Sequence, residues 1–324
     1  MDTIKVVRDA CGALRLEHPY VFPNATAVTV GTFDGVHLGH LALLTQLKRE
    51  AALRHLPSMV VTFDRSPLAT VRPGHPYTRL NDGAEQLTRL EAVGVDITVV
   101  LPFDGPLSLL DADQFLEQVV VKMLHAHYML LGYDHSFGHA SHYGNQLNID
   151  QLAARHGLTI QRADVACDTE GNPFSSTRIK QLLGRGDVVA ANKLLGYRYP
   201  LSGIVVSGQH IGRTLGYPTA NIVLAEQHKL VPPNGVYAVH VRVNERVFPG
   251  MLYIGNRPTI SSEQERSIEV HLFDLDEELY NKSICIELEK FVRRDQRFSG
   301  REELIRAIQE DERVIRELLG CRKV

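Results

Sequence analysis

The periodicity of this sequence changes near Tyr197. Before it, short apolar runs at 25–30, 59–64, 97–103, 128–134 and 159–166 alternate with segments of helical period at 38–54, 83–93, 111–124 and 149–156. Repeated strand–helix–strand order gives a parallel sheet whose crossovers lay helices over both faces. The first half is therefore expected to be an α/β domain built on a doubly wound parallel sheet. Ligands in such a sheet bind beyond the C-terminal ends of the strands. After Tyr197 the chain reads as strands and turns, at 203–207, 235–243, 247–254, 267–273 and 284–292, with a hairpin turn at Asn244-Glu245-Arg246. Helix returns only at 301–319, where Ser299-Gly300-Arg301-Glu302 fits a capping box. The spacing predicts a compact β-barrel with one terminal helix. Helical segments at 176–183 and 188–195 join the modules, and the division is expected at 1–185 and 186–324.

A chain of 324 residues is long enough for two such cores. Its formal net charge of −3 provides no global field for nucleic acid or an anionic membrane, so neither is expected as a partner. Any phosphate must be met by local groups. Cys11, Cys167, Cys285 and Cys321 lie far apart, without a C-x-x-C pair or a disulfide framework. The N-terminus has no long apolar run, and no stretch approaches the roughly 18 apolar residues of a membrane span. A cytoplasmic enzyme is expected; no oligomeric state follows from these features.

The strongest local signal is Val30-Gly31-Thr32-Phe33-Asp34-Gly35-Val36-His37-Leu38-Gly39-His40, at the junction of an apolar strand and an amphipathic helix. His37 and His40, three residues apart, share one face of a helical turn, and Gly39 between them would leave that surface open. A helix N-terminus offers unsatisfied N–H groups and a positive dipole to phosphate. Two imidazoles there can hydrogen-bond phosphate oxygens and stabilise charge during transfer. Phe174-Ser175-Ser176-Thr177-Arg178 again places hydroxyls and a guanidinium at a helix start, although Ser-Ser-Thr also suits an ordinary N-cap.

These segments resemble the FMN adenylyltransferase half of bacterial bifunctional riboflavin kinase/FAD synthetases, which also have stretches like Val61-Thr62-Phe63-Asp64 and Gly186-Asp187-Val188. The resemblance implies that Gly31, Phe33, His37, His40, Ser176, Thr177 and Arg178 bind ATP, with His37, His40 and Arg178 acting in catalysis. It places Asp64, Asp187 and Asp134 on the flavin side. Two departures stand out: Arg65-Ser66-Pro67 replaces the usual Pro-His-Pro, and His135-Ser136 stands where Phe-Arg is usual. His125, His127, His135, His139 and His142 invite a zinc reading, against a solvated or flavin-flanking loop; no H-E-x-x-H accompanies them.

In the second module Gly208-Gln209-His210-Ile211-Gly212-Arg213-Thr214 fails as a Walker A loop, being one residue short with arginine in place of lysine. Thr219 and Asn221 follow, two apart, so in extended chain their oxygens share a side and are of the type that Mg²⁺ accepts, although Thr-x-Asn by itself is a very common pattern with no metal. The run Gly212-Arg213 to Gly216-Tyr217-Pro218-Thr219-Ala220-Asn221 is similar to the riboflavin kinase signature, as are Pro233-Asn234-Gly235, Gly255-Asn256-Arg257-Pro258-Thr259 and Ile268-Glu269-Val270-His271. The resemblance implies Glu269 as general base, Thr219 and Asn221 as Mg²⁺ ligands, and Gly208, Gly212 and Arg213 as ATP contacts. Arg293 is expected to approach flavin or phosphates, or else to sit on a solvated face.

The implied activity is phosphorylation of riboflavin to FMN, then adenylylation of FMN to FAD and pyrophosphate, with ATP as co-substrate at both steps and Mg²⁺ as cofactor. The rivals are an H-x-G-H adenylyltransferase for another substrate, which the second module opposes, and a flavin-binding regulator without catalysis. A dehydrogenase reading has no G-x-G-x-x-G to rest on.

Overall fold

The computed structural model describes residues 1–9, 11–133, 149–208, 211–256 and 266–321. They form two compact units, Met1–Ser175 and Ser176–Val324.

The first unit runs β1 (Asp2–Arg8), β2 (Leu14–Leu16), β3 (Thr26–Val30), α1 (Leu38–Leu53), β4 (Ser58–Phe63), α2 (Pro67–Val71), α3 (Gly83–Val93) and β5 (Ile97–Leu101). It continues through α4 (Gly105–Ser108), α5 (Ala112–Phe115), a π-helical stretch over Leu116–Met123, β6 (Ala126–Leu131), α6 (Ile149–Arg155) and β7 (Thr159–Arg162). The sheet order is β2-β1-β5-β4-β3-β6-β7, with every neighbouring pair parallel except the antiparallel β2–β1. Alternate side chains of the central strands feed two cores. Val28, Val30, Met59, Val61, Met129 and Leu131 enter one, and Ala27, Val60, Tyr128 and Leu130 enter the other. Burial on both faces explains why these strands read as continuous apolar runs.

Parts of this unit differ from the sequence expectation. The strand β1 was not expected, because its apolar residues Ile4 and Val6 are interleaved with polar ones; it nonetheless pairs in parallel with β5. The single helix expected over 111–124 is α-helical only to Phe115 and then widens.

The second unit contains α7 (Ser176–Gly184), α8 (Val188–Leu195), β8 (Tyr199–Val206), α9 (Ile211–Thr214), β9 (Ala220–Leu224), β10 (Gly235–Val243), β11 (Arg246–Asn256), β12 (Arg266–Leu272), β13 (Ser283–Arg294) and α10 (Arg301–Leu319). Six antiparallel strands close into a barrel, β10-β11-β12-β9-β8-β13. The expected hairpin closes at Asn244-Glu245: Val243 pairs with Arg246, and Asn244 takes φ +54°, a conformation that asparagine tolerates. The helix α8 is tied to the barrel by Asn192, which donates to Leu288 O (2.8 Å) and accepts from Tyr199 N (2.8 Å). Along one side of the barrel, α10 packs Ile315 with Val236, Ala238, Met251 and Phe273.

The capping box expected for α10 forms differently. The N-cap is Gly300, and Ser299 donates through its N–H (2.8 Å) and hydroxyl (2.6 Å) to Glu303 rather than engaging Glu302. A full capping box occurs instead on α3: Asp82 accepts from Glu85 N (2.7 Å), and the Glu85 carboxylate accepts from Asp82 N (3.2 Å). Replacing Asp82 by alanine should lower unfolding free energy by about 1 kcal/mol, measured as a shifted urea midpoint at unchanged slope.

Candidate functional site

The candidate site of the first unit is built on the turn from β3 into α1. Gly31 N donates to Val61 O (3.0 Å). The Thr32 carbonyl accepts from the Gln86 carboxamide (2.7 Å), which also donates to Thr62 Oγ1 (3.0 Å). Asp34 accepts from Leu80 N (2.7 Å). So anchored, the loop holds Phe33 at φ +44° and Val36 at φ +35°. A β-branched residue in that region is strained, and such strain persists only where surroundings impose it, characteristically at sites of function.

His37 is the N-cap of α1; its Nδ1 accepts from His40 N (3.4 Å), which puts the proton of the neutral ring on Nε2. The two imidazoles stack with centroids 3.7 Å apart, and Phe33 meets His40 edge-on at 5.2 Å. Burial, and then the neighbouring His37, push the His40 pKa well below the usual imidazole range. Among the described residues its buried Nδ1 has no hydrogen-bond partner. A neutral imidazole at a helix N-terminus can hydrogen-bond a ligand rather than act as a fixed cation.

Gly39 does not leave an open surface as expected. A Cβ there would lie 2.8 Å from Phe174 Cβ and 3.1 Å from the His37 ring, so its missing side chain makes room for the protein itself. Asp64 accepts from Phe103 N (2.9 Å) and pairs with Arg65 (2.9 Å), the residue that departs from the family pattern. Asp134, with His135, Ser136, His139 and His142, lies outside the described residues. His125 Nδ1 bonds Pro23 O (2.9 Å) and His127 Nδ1 bonds His125 O (3.1 Å). Ser176, Thr177 and Arg178 form the first turn of α7, with Ser176 and Arg178 half-buried and Thr177 exposed. Asp187 is the N-cap of α8, accepting from Ala190 N (3.2 Å).

In the second unit, residues fifty positions apart meet. The strand β9 pairs with β12 so that Asn221 stands opposite Glu269, and Thr219 Oγ1 donates to Glu269 Oε2 (3.2 Å). Asn221 is buried. A Cβ on Gly208 would lie 2.1 Å from Asn221 Nδ2, and one on Gly212 would lie 3.2 Å from Thr219 Oγ1. These two glycines thus form the wall against the Thr219 and Asn221 side chains. The hydroxyl and carboxamide oxygens are hard neutral donors beside a carboxylate, a set that fits Mg²⁺. Among the described residues no group of three or more His, Cys, Asp or Glu is gathered as a metal site.

The side chain of Arg213 lies outside the described residues. Arg293 is held by Asp311 on α10 through Nε (2.8 Å) and Nη2 (2.7 Å), with its guanidinium 5.7 Å from the Phe298 ring. Tyr253, opposite Glu269 on β11, is pushed up to about 12 by burial first and then by Asp295, to which its hydroxyl donates (3.1 Å). Tyr253 and Gln86 carry no chemistry-bearing pattern in the sequence until the fold assembles their neighbours, and neither does the packing of Phe174 against Gly39.

A strand-to-helix histidine turn on a parallel sheet and a glycine-walled Thr-Asn-Glu cluster in a barrel give each unit one candidate site. The FAD synthetase family model matches residues 21–178, and the riboflavin kinase model matches 195–319. The chain is 37% identical to the bifunctional riboflavin kinase/FMN adenylyltransferase of Escherichia coli, covering 91% of this chain and 93% of that one. It is 37% identical to the Listeria monocytogenes enzyme of the same description (92% and 95% covered) and 33% identical to that of Bacillus subtilis (92% and 94%). A crystal structure of a Streptococcus pneumoniae protein described as a macrolide-efflux protein superposes with TM-score 0.84 at 29% identity, covering 98% of this chain and 99% of that one. The chain belongs to the bifunctional riboflavin kinase/FMN adenylyltransferase family.

Gly208→Ala should force the Asn221 carboxamide out of place. We expect turnover in the barrel's reaction to fall by roughly 10²-fold, as when one preorganised group is lost, while the secondary-structure signal in circular dichroism stays unchanged.

Proposed function

We propose that this chain converts riboflavin to FMN in its barrel and FMN to FAD on its parallel sheet, using one ATP at each step. In the first step the 5′-hydroxyl oxygen of riboflavin attacks the γ-phosphorus of ATP, ADP leaves, and the hydroxyl proton passes to Glu269. In the second, a phosphate oxygen of FMN attacks the α-phosphorus of a second ATP, and pyrophosphate leaves. The observation that carries the first step is the convergence of Thr219, Asn221 and Glu269. Thr219 donates its proton to Glu269, so its oxygen lone pairs remain available to a cation, and Asn221 would add its carbonyl oxygen. Bound there, Mg²⁺ would neutralise charge on the nucleotide phosphates. Glu269 then serves as base and as acceptor for Thr219. Gly208, Gly212 and Arg213 are assigned to the ATP side in this reading.

For the second step we assign phosphate binding to the α1 N-terminus, with His37 and His40 as hydrogen-bonding imidazoles and Gly31 and Phe33 shaping the loop. Ser176, Thr177 and Arg178 complete the ATP contacts; the FAD synthetase match extends through Arg178 and supports that reading. Asp64, Asp134 and Asp187 are assigned to the flavin side of this site and Arg293 to that of the barrel. The first activity would reside in 186–324 and the second in 1–185. No described helix is long and apolar enough to cross a membrane, and we place both activities in the cytoplasm. The direct test incubates the protein with riboflavin, ATP and Mg²⁺ and resolves riboflavin, FMN and FAD by chromatography; absence of both products would refute the proposal.

His40→Ala should lower FAD formation from FMN by about 10²–10³-fold while riboflavin phosphorylation stays near wild type. Equal loss of both activities would make His40 structural. Glu269→Gln keeps shape but cannot accept a proton, so riboflavin phosphorylation should fall by roughly 10²–10⁴-fold with FAD formation from supplied FMN unchanged. Steady-state kinetics at saturating ATP and Mg²⁺ decide the point, and a turnover within a factor of about three of wild type would remove Glu269 from the role of base.

A further inference from the structure

The segment that presents Thr219 is held from both sides. On one side the Gly212 carbonyl accepts from Leu215 N (3.0 Å) and Tyr217 N (2.9 Å), and the Tyr217 carbonyl lies 2.3 Å from where a Gly212 Cβ would be. On the other, the Tyr217 hydroxyl donates to Glu312 of α10 (3.2 Å), and His271 Nδ1 bonds the Pro218 carbonyl (2.7 Å). A peptide carbonyl only accepts, so His271 must carry its proton on Nδ1. Burial keeps His271 below the usual imidazole range, consistent with a neutral ring. Its ring meets Tyr217 edge-on at 5.4 Å and Phe273 at 5.7 Å. Two residues from Glu269 on β12, His271 shares its face of the strand.

The far end of this chain of contacts is an ion cluster on α10. Arg316 donates to Glu312 (2.8 Å) and to both oxygens of Asp274 (2.9 Å each), with its guanidinium 4.4 Å from the Phe273 ring. The side chains of Arg316 and Glu312 are each only 9% exposed. A buried ion cluster is a weak source of stability, since apolar residues of similar volume do as well; its use lies in fixing geometry. Here Glu312 is held so that it can receive Tyr217.

We propose that Tyr217 and His271 are positioning residues for phosphoryl transfer, fixing Pro218-Thr219 so that the Thr219 hydroxyl stays on Glu269, with Arg316, Glu312 and Asp274 as their anchor. The inference rests on the reading of Thr219 as a Mg²⁺ ligand. His271→Phe keeps a ring against Tyr217 and Phe273 but removes the donor, whereas His271→Asn keeps a donor at the Nδ1 position. Tyr217→Phe removes only the hydroxyl.

Riboflavin phosphorylation by the full chain is measured against free Mg²⁺ at saturating ATP and riboflavin, with thermal unfolding of each variant alongside. His271→Phe and Tyr217→Phe should each raise the Mg²⁺ concentration for half-maximal rate by about five- to tenfold, the effect of one lost hydrogen bond. The maximal rate should stay within about threefold of wild type. His271→Asn should return the Mg²⁺ requirement to near wild type, a rescue that a merely structural role does not predict. If His271→Phe does not fold, Tyr217→Phe decides alone. A wild-type Mg²⁺ requirement in folded Tyr217→Phe, or His271→Asn no better than a folded His271→Phe, overturns the positioning role. A wild-type chain silent toward riboflavin overturns instead the kinase reading beneath it.

Discussion

The pairing of β9 with β12 involves only two residue pairs, Asn221 with Glu269 and Ala220 with Val270. It is also the contact that joins β8–β9 to β12–β11 and so closes the barrel. Closure removes the sheet's edges, and every strand gains partners on both sides. At this seam a carboxylate, a hydroxyl and a carboxamide are brought together from segments fifty residues apart. Fold and site therefore share one constraint: the seam cannot be rebuilt with bulkier neighbours, because Gly208 already touches Asn221.

The α/β unit solves a different problem. Its central strands are buried on both faces, so the sheet is rigid, and the loop leaving β3 can be held in a conformation that it would not adopt alone. Gln86 of α3 and the backbone of Leu80 grip Thr32 and Asp34. The strain at Phe33 and Val36 is offset by those bonds and by the burial of both side chains. The result is an N-terminus of α1 carrying stacked, neutral imidazoles. Neutral donors there complement the helix dipole without competing with it for an anion.

Much of this was legible beforehand, for identifiable reasons. The residues of α1, α3 and α10 have helical period and clear ends, and those of β10 to β13 alternate or run apolar; their bounds shifted by a few residues at most. The strand β1 escaped because Ile4 and Val6 sit among polar neighbours, and β9 because Gly216 and Pro218 read as loop. His37 and His40 stood out as a pair at a junction. Their stacking, the lowered pKa of His40 and the filling of the Gly39 gap by Phe174 did not, since each depends on a contact distant in sequence.

The two periodicities, the order of the two units and the residue types at each candidate site follow from local pattern and from motifs a few residues long, and so are legible in the sequence. Which groups meet is a property of the folded chain. Thr219 finds Glu269 because β9 lies against β12. Tyr217 finds Glu312 because α10 packs along β10 and β11. Arg293, with a motif-level expectation of approaching a ligand, is placed against Asp311. The physical reason is that hydrogen bonds and ion pairs act over a few ångströms, and only chain folding sets those separations between residues remote in sequence.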